Sequence, residues 1–596
     1  MNRGLKNNSP RPPFGVGRVV LNPYQSVFGF SKPVPRNTGT GFAYKLRNFT
    51  ADMKRLATIW LALAPAWAAA QLFDYDRDAA RMSQTGVYGT ARAVGMGGAF
   101  VAGGGDATSL SLNPGGLALF RRFDLSLTPA VQIFESNGTL LGQSGRDGMT
   151  NVSIGGFGCA IPIRTRGTIK SVVLGFGFNQ LENFRRRINA TAWNENNSFS
   201  SALSIGARGI DPASLQINPP YYATEHYLMA FNTFIPNPLQ GYPPDAILDV
   251  YNTDARTYIG AFDYGQIQQN IAGVETGRNN QWSIAGAVNI DDLVYLGGSL
   301  NIYDAVAGWT YTLTETDVTN AYRGDFSGAF DSMAVDRIVY EEVLTSRGSG
   351  VNFNLGALVH PVDFLRVGVS FQTPGIVYSN ETFATAYELN NDRGLTARTV
   401  SEDGRFDYRL VLPYRVNVGV SGIIGKTAMI NVDGELVDYR SANVRGGLGQ
   451  SGAFAVPANR SIAERFALGY NLRAGAEVRY KEFYFRLGAG YSKGVLRDDD
   501  FYAPEKNYAL TFTGGLGYRR ERFYIDVAYS HQTRHDAFGI YPLNTLPNAP
   551  RNDFAIIDPS GTPRLAYEPT LVARRVFSNI VFTVGVRLGK NIDRDE

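Results

Sequence analysis

One cysteine, Cys159, is all the chain contains, so no internal disulfide braces the fold, and a lone thiol builds no metal site. Its setting in a strand-like stretch marks it as a small side chain of a packed wall. Histidine is nearly as scarce, with only His226, His360, His531 and His535. Charged residues make up 18%, and Lys and Arg lie scattered among carboxylates instead of gathering in a patch, which argues against nucleic acid as a partner. Long hydrophobic runs are missing too. A membrane helix needs roughly 20 apolar residues in succession, and only one short N-terminal segment approaches that. The helical periods that a soluble α/β enzyme would place between its strands are few.

What is abundant is glycine, 66 residues, together with 36 Phe and 32 Tyr, at a mean hydropathy of only −0.15. High glycine, many aromatics and hidden hydrophobicity suit strands that face lipid on one side and water on the other.

The N-terminus reads as leader, not fold. Met53-Lys54-Arg55, the apolar stretch Leu56–Ala64 and Ala68-Ala69-Ala70 before Gln71 form the n-region, h-region and small-residue cleavage site of a signal peptide over 53–70. Export with cleavage after Ala70 is expected. Residues 1–52 carry eight Lys or Arg against one acidic residue and no apolar periodicity, so Met53 is the expected start and 1–52 a mis-called or disordered leader.

From Arg122 period-two alternation recurs to the end of the chain. Phe123, Leu125, Leu127, Val131 and Ile133 define one face of the first strand. The later ones are Trp282–Ile290, Val294–Ile302, Val351–Val359, Leu365–Phe371, Leu410–Val418, Ile430–Leu436, Leu472–Tyr480, Phe483–Tyr491, Leu510–Tyr518, Phe523–Tyr529 and Ile580–Leu588. With less regular strands near 150–163 and 170–179 the count is fourteen. Their connections alternate strictly: short ones such as Arg164–Thr168, Asp291-Asp292 and Lys481-Glu482, and long ones near 135–149, 180–278, 304–349, 373–404, 440–470, 492–507 and 531–576. Short periplasmic turns alternating with long extracellular loops over an even strand count are the signature of an outer-membrane barrel. The fold expected is all-β and membrane-embedded: a 14-stranded antiparallel transmembrane β-barrel over 122–588, with a periplasmic tail at 589–596. Tyr480, Phe483, Tyr518, Phe523 and Tyr529 near strand ends suit interfacial girdles. Arg415, Asp433, Glu435, Arg473, Glu477, Arg479, Arg486, Asp526 and Arg587 fall on the opposite face and are expected to pair across the lumen.

A barrel of this size encloses more space than its wall side chains fill. The 71–121 segment, which shows neither strand alternation nor amphipathic periodicity, is the expected plug, its small residues allowing tight packing in a confined interior. Its glycines are no phosphate loop, since Gly-Lys-Ser/Thr and a preceding strand are both absent. Within it stand Arg92-Ala93-Val94-Gly95-Met96-Gly97-Gly98-Ala99, Gly104-Gly105-Asp106 and Asn113-Pro114-Gly115. This segment resembles the N-terminal hatch of the FadL-type outer-membrane long-chain fatty acid transporters, with Gly95, Gly97, Gly98, Asp106, Asn113 and Pro114 as the matching hatch motif. Gly115 departs from that family's Asn-Pro-Ala.

The resemblance implies a monomer, embedded in outer-membrane lipids, that takes up hydrophobic small molecules through hatch rearrangement and a sideways exit into the bilayer. No catalytic residue, cofactor or metal follows from it. Two further sites fit that role. The 180–278 loop holds Tyr221, Tyr222, Tyr227, Leu228, Met229, Phe231 and Phe234, which either capture ligand or pack the loop on itself. Gly155-Gly156 shifts the alternation of the second strand and is a candidate wall kink.

Rival readings are weaker. A hydrolase would need His531 or His535, with Asp536, beside a nucleophile, and no such motif accompanies them. A secretion-system component or a haemin-receptor-like protein remains the alternative, with His226 or His531 as axial ligand. An open porin is at odds with the plug.

Overall fold

The computed structural model describes residues 75–212, 229–230, 232–235, 245–262, 265–322, 335–425, 427–447, 455–541, 555–557, 563–565 and 569–589. The expected leader, the signal segment, the tail from 590 and loop residues Tyr221, Tyr222, Tyr227, Leu228 and Phe231 lie outside them, as does His226.

Fourteen wall strands close on themselves. They are β1 (Phe123–Leu140), β2 (Gln143–Arg164), β3 (Ile169–Asn183), β4 (Ile267–Ile290), β5 (Val294–Thr316) and β6 (Val335–Val362). Then come β7 (Leu365–Gln372, resumed as Gly375–Asn391), β8 (Gly404–Leu412, resumed as Arg415–Ile424) and β9 (Ala428–Asp438, resumed as Asn443–Gly446). The last five are β10 (Leu468–Tyr480), β11 (Phe483–Lys493), β12 (Tyr508–Arg519), β13 (Phe523–Gly539) and β14 (Thr570–Leu588). Each strand pairs antiparallel with the next. β14 returns to β1 from Phe123↔Leu588 to Leu140↔Leu571, so the sheet has no free edge. Among the described residues no helix is long and apolar enough to cross a membrane.

The breaks in β7 and β8 fall at Thr373-Pro374 and Pro413-Tyr414. They lie side by side across the ladder, where the missing proline N–H costs a rung in each strand.

Several expected long loops are ladder instead. A bilayer crossing needs about 9–11 residues per strand, whereas β4, β5 and β6 run for 24, 23 and 28. The 135–149 connection is no loop at all. β1 and β2 continue to a two-residue turn at Leu141-Gly142, with φ of 46° and 82°, the positive pair that a twisted hairpin prefers. The wall therefore rises well above the membrane, and much of the 304–349 and 531–576 stretches belongs to it. Alternation changes its sense there: Trp309, Tyr311 and Leu313 are buried on the inner side, while Thr310 is exposed on the outer one.

Within the bilayer zone the alternation holds. Val152, Leu487 and Phe512 are 74%, 72% and 60% exposed on the outer face, an arrangement that only lipid contact makes favourable. Inward positions carry buried Asn, Ser and Thr bonded across strands, as in Ser283–Asn301–Asn352–Tyr303. Above them a helix, α3 (Phe199–Ala207), is capped by Ser198 and packs Phe199 against Tyr340 and Tyr387.

Candidate functional site

The lumen is filled by residues 75–121. Contrary to the featureless segment expected, they open with a short helix, α1 (Tyr75–Ser83), acidic in its first turn at Asp76 and Asp78 and basic in its last at Arg81. That polarity matches the helix dipole and was the available signal. A second helix, α2 (Ala91–Gly95), starts at the Thr90 cap. Two single turns of 3-10 helix follow, Ala107–Leu110 capped by Asp106 and Pro114–Leu119 capped by Asn113.

Polar wall residues hold this segment by its backbone. Thr583 accepts from Ala91 N at 2.7 Å, and Thr513 donates to Gly95 O at 3.0 Å. Asp433 accepts from Val101 N at 2.7 Å, while Asn431 donates to Ala99 O. Asn354 and Ser370 each donate at 2.7 Å, to Ser111 O and Leu112 O. Arg92 pairs with Glu477 through two bonds.

The wall makes room by omitting side chains. Methyl groups built at Gly177, Gly297, Gly356, Gly368, Gly419 and Gly475 would collide with Leu110, Pro114, Asn113, Val101, Val101 and Met96 of the plug. These inward glycines were legible as period-two positions, yet composition alone did not reveal that they form a belt.

The motif residues take specific places. Asp106 accepts from the Thr90 hydroxyl and from Thr108 N. Asn113 caps Gly115 N and donates to Val101 O at 2.7 Å and to Ala357 O at 3.1 Å, tying two plug turns to β6. Pro114 occupies the first turn, where its missing N–H costs nothing. Gly97 has a φ of 68° and its Cβ would lie 2.9 Å from Ala489 N, so both backbone and wall demand glycine. Gly115 leaves no room for a side chain: a methyl there would sit 2.9 Å from Tyr295 O. Gly95 faces Gly515 and Arg486, and Gly98 faces Val87 and Arg473.

Of the lumen charges, Glu435 takes Arg415 and Arg473, Arg486 bridges Glu477 and Asp526, and Arg587 meets Asp124. Arg479 departs from the expectation, since it lies exposed at the β10–β11 turn and bonds Lys481 O. Gly155 is skipped by the β1–β2 register, which jumps from Thr128↔Gly156 to Pro129↔Ile154. Proline at 129 has no N–H for that rung, and the β2–β3 ladder also ends at Gly156↔Asn179. The two strands therefore part above that point. Met229 is buried in the extracellular apolar cluster, and Phe234 lies on a short strand pairing with Ala246.

The histidines do not gather. His531 and His535, expected in a loop, sit on β13. His531 Nδ1 is 3.2 Å from Ser578 Oγ on the neighbouring strand, on the same outward set as Tyr529. Asp536 faces the other way and binds Arg534 and Arg575.

Above the plug lies a cavity of about 340 Å³ that sequence reasoning missed. Phe184, Phe199, Trp309, Tyr311, Tyr340 and Phe538 supply its apolar surface. Arg81 and Arg186 are neutralised by Glu275, at 2.5 and 2.9 Å. Arg77, one turn before Arg81 on α1, differs. It lies over the rings of Trp309 and Phe538, 4.8 and 5.6 Å from their centroids, and has no carboxylate at ion-pair distance among the described residues. Arginines and aromatic rings are interleaved in this cavity, whose lining also includes Glu182, Glu342 and Asp536.

Closed wall, lipid-facing belt, tight turns and filled lumen define a plugged transmembrane β-barrel of the outer-membrane class. No family model and no curated protein matches the chain. Among solved structures it is similar to a Pseudomonas aeruginosa FadL homologue, at 12% identity and a TM-score of 0.46 over 84% of this chain and 98% of that one. It is also similar to the Pseudomonas putida toluene transporter TodX, at 10% and 0.45 over 85% and 100%. The Ralstonia pickettii toluene transporter TbuX gives 13% and 0.42 over 84% and 99%. At those values the likeness carries nothing about function, which rests on the residues themselves.

Proposed function

We propose that this protein resides in the outer membrane and takes up hydrophobic small molecules bearing an acidic head, long-chain fatty acids or similar compounds. The observation that carries this reading is Arg77: a guanidinium with no carboxylate at ion-pair distance among the described residues, lying over the Trp309 ring in the cavity above the plug. An alkyl or aryl tail would exchange water for ring surface at about 25 cal/mol per Å². The acid head would gain a charge-assisted bond. Ligand capture at the extracellular cluster would precede this step. Release would follow from rearrangement of 84–121, with the parted β2–β3 seam at Gly155-Gly156 as the sideways exit.

Displacement of a fluorescent fatty acid from the purified barrel tests this. Arg77→Met should weaken oleate binding by about 10–100-fold, the effect of about 1.4–2.8 kcal/mol in a charge-assisted bond, while leaving toluene binding unchanged. Equal oleate affinity in both proteins would remove the acid head from the proposal.

A further inference from the structure

The side of the plug facing the periplasmic turns holds a second arginine without an acid. Arg366, near the start of β7, donates Nη1 to Gly103 O at 3.1 Å. Its Nε is buried with no hydrogen-bond partner. Buried polar atoms are almost always satisfied, so this guanidinium has donor capacity its neighbours leave unused, and it borders an open space. That space is a vestibule of about 530 Å³, lined by Gly103–Gly105 and Leu119 of the plug and by Arg92, Arg121, Tyr295, His360 and Arg366. Its one lining carboxylate, Asp292, is taken by Arg121 at 2.7 Å and by Asn289. Arg92 is likewise committed to Glu477. Arg366 thus has no carboxylate at ion-pair distance among the described residues, and the space beside it carries surplus positive charge.

We infer that this vestibule is a second binding site, for the carboxylate head of the molecule the barrel carries, on the opposite face of the plug from Arg77. The inference rests on the uptake reading for the identity of the ligand, but not for the site. Leu119 gives the adjoining part of the tail an apolar surface, and the Arg366 guanidinium supplies the donors. The two arginines then bracket the plug, one receiving the head above it and one below. Gly103, whose carbonyl already binds Arg366, couples the lower site to the plug backbone. A carboxylate arriving at Arg366 competes with that carbonyl for the same guanidinium and so favours release of the plug turn.

The test uses the purified full chain in detergent micelles, with 4-fluorobenzoate as a water-soluble carboxylate followed by fluorine NMR. Two saturable sites per barrel are expected, one lost in Arg77→Met, the other in Arg366→Met, and both in the double variant. Heat-modifiable gel mobility reports that each variant is folded. Asp292→Asn provides a variant that does not touch Arg366. It sits in a turn with φ of 55°, which asparagine accepts, and it removes the negative charge of the lining carboxylate, so the lower site should tighten several-fold. Two sites persisting in Arg366→Met, or unchanged affinity in Asp292→Asn, would overturn the inference. Displacement from the lower site by inorganic phosphate at equal concentration would overturn the carboxylate assignment. If only Arg77→Met retains both sites, the uptake reading fails and the lower site stands.

Discussion

Arg92 clasps Glu477 with Nε at 3.0 Å and Nη2 at 2.8 Å, tying the first turn of α2 to β10 across the lumen. Glu477 also receives Arg486, which continues to Asp526 and Arg519. The plug is therefore wired into a wall network and not merely wedged against it. Removing one partner of a buried pair costs about 3–5 kcal/mol, and Arg486 remains to satisfy Glu477, so Arg92→Met should fall at the low end. Hydrogen exchange should speed up across plug amides 91–101 and not in β10. Unaltered plug exchange would mean that the pair does not anchor it.

Asn113 joins two plug turns to β6 through its side chain. Asn113→Ala loses the cap on Gly115 and both donated bonds, at about 1–3 kcal/mol for the groups left unsatisfied. Trypsin should then cut after Arg121 in the folded barrel, where the parent resists. Asn113→Asp keeps the cap but not the two donors, and should lie between them.

Gly115→Ala tests whether the wall dictates glycine at this position. The added methyl meets Tyr295 O at 2.9 Å, and overpacking of this kind costs about 1–3 kcal/mol. The midpoint of heat-modifiable gel mobility should drop. A midpoint equal to that of the parent would show that the contact yields freely.

Trp309 is both a tail surface and the ring beneath Arg77. Trp309→Ala should reduce oleate affinity about tenfold, combining lost apolar area with a cation–π contact of about 0.5–2 kcal/mol. Trp309→Phe should recover most of it. If the alanine variant binds as tightly as the parent, the cavity is not where the tail lies.

The barrel was legible in the sequence because lipid and lumen impose opposite demands on successive residues: Val584 and Val586 point out while Thr583 points in. Strand extents were not, since above the bilayer that contrast fades, and the ladder through Tyr311 and Tyr340 is buried on its inner side under α3. Asn113-Pro114 lies in the segment inside the lumen, but its partners were not legible. Asn354, Ser370 and Asp433 come from three strands far apart in sequence, and only closure of the barrel brings them to one backbone. Arg77 escaped notice for a similar reason. On paper it is one charge in a short acidic-to-basic helix, and its lack of a partner appears only when Glu275 is seen to serve Arg81 and Arg186.

The central claim is that residues 75–121 close the lumen. Conductance of the purified full-length protein in planar bilayers tests it most directly. A closed plug predicts no steady current above the bare membrane, and a barrel deleted for 75–121 predicts a large ohmic one. A large steady current through the intact protein would contradict the claim.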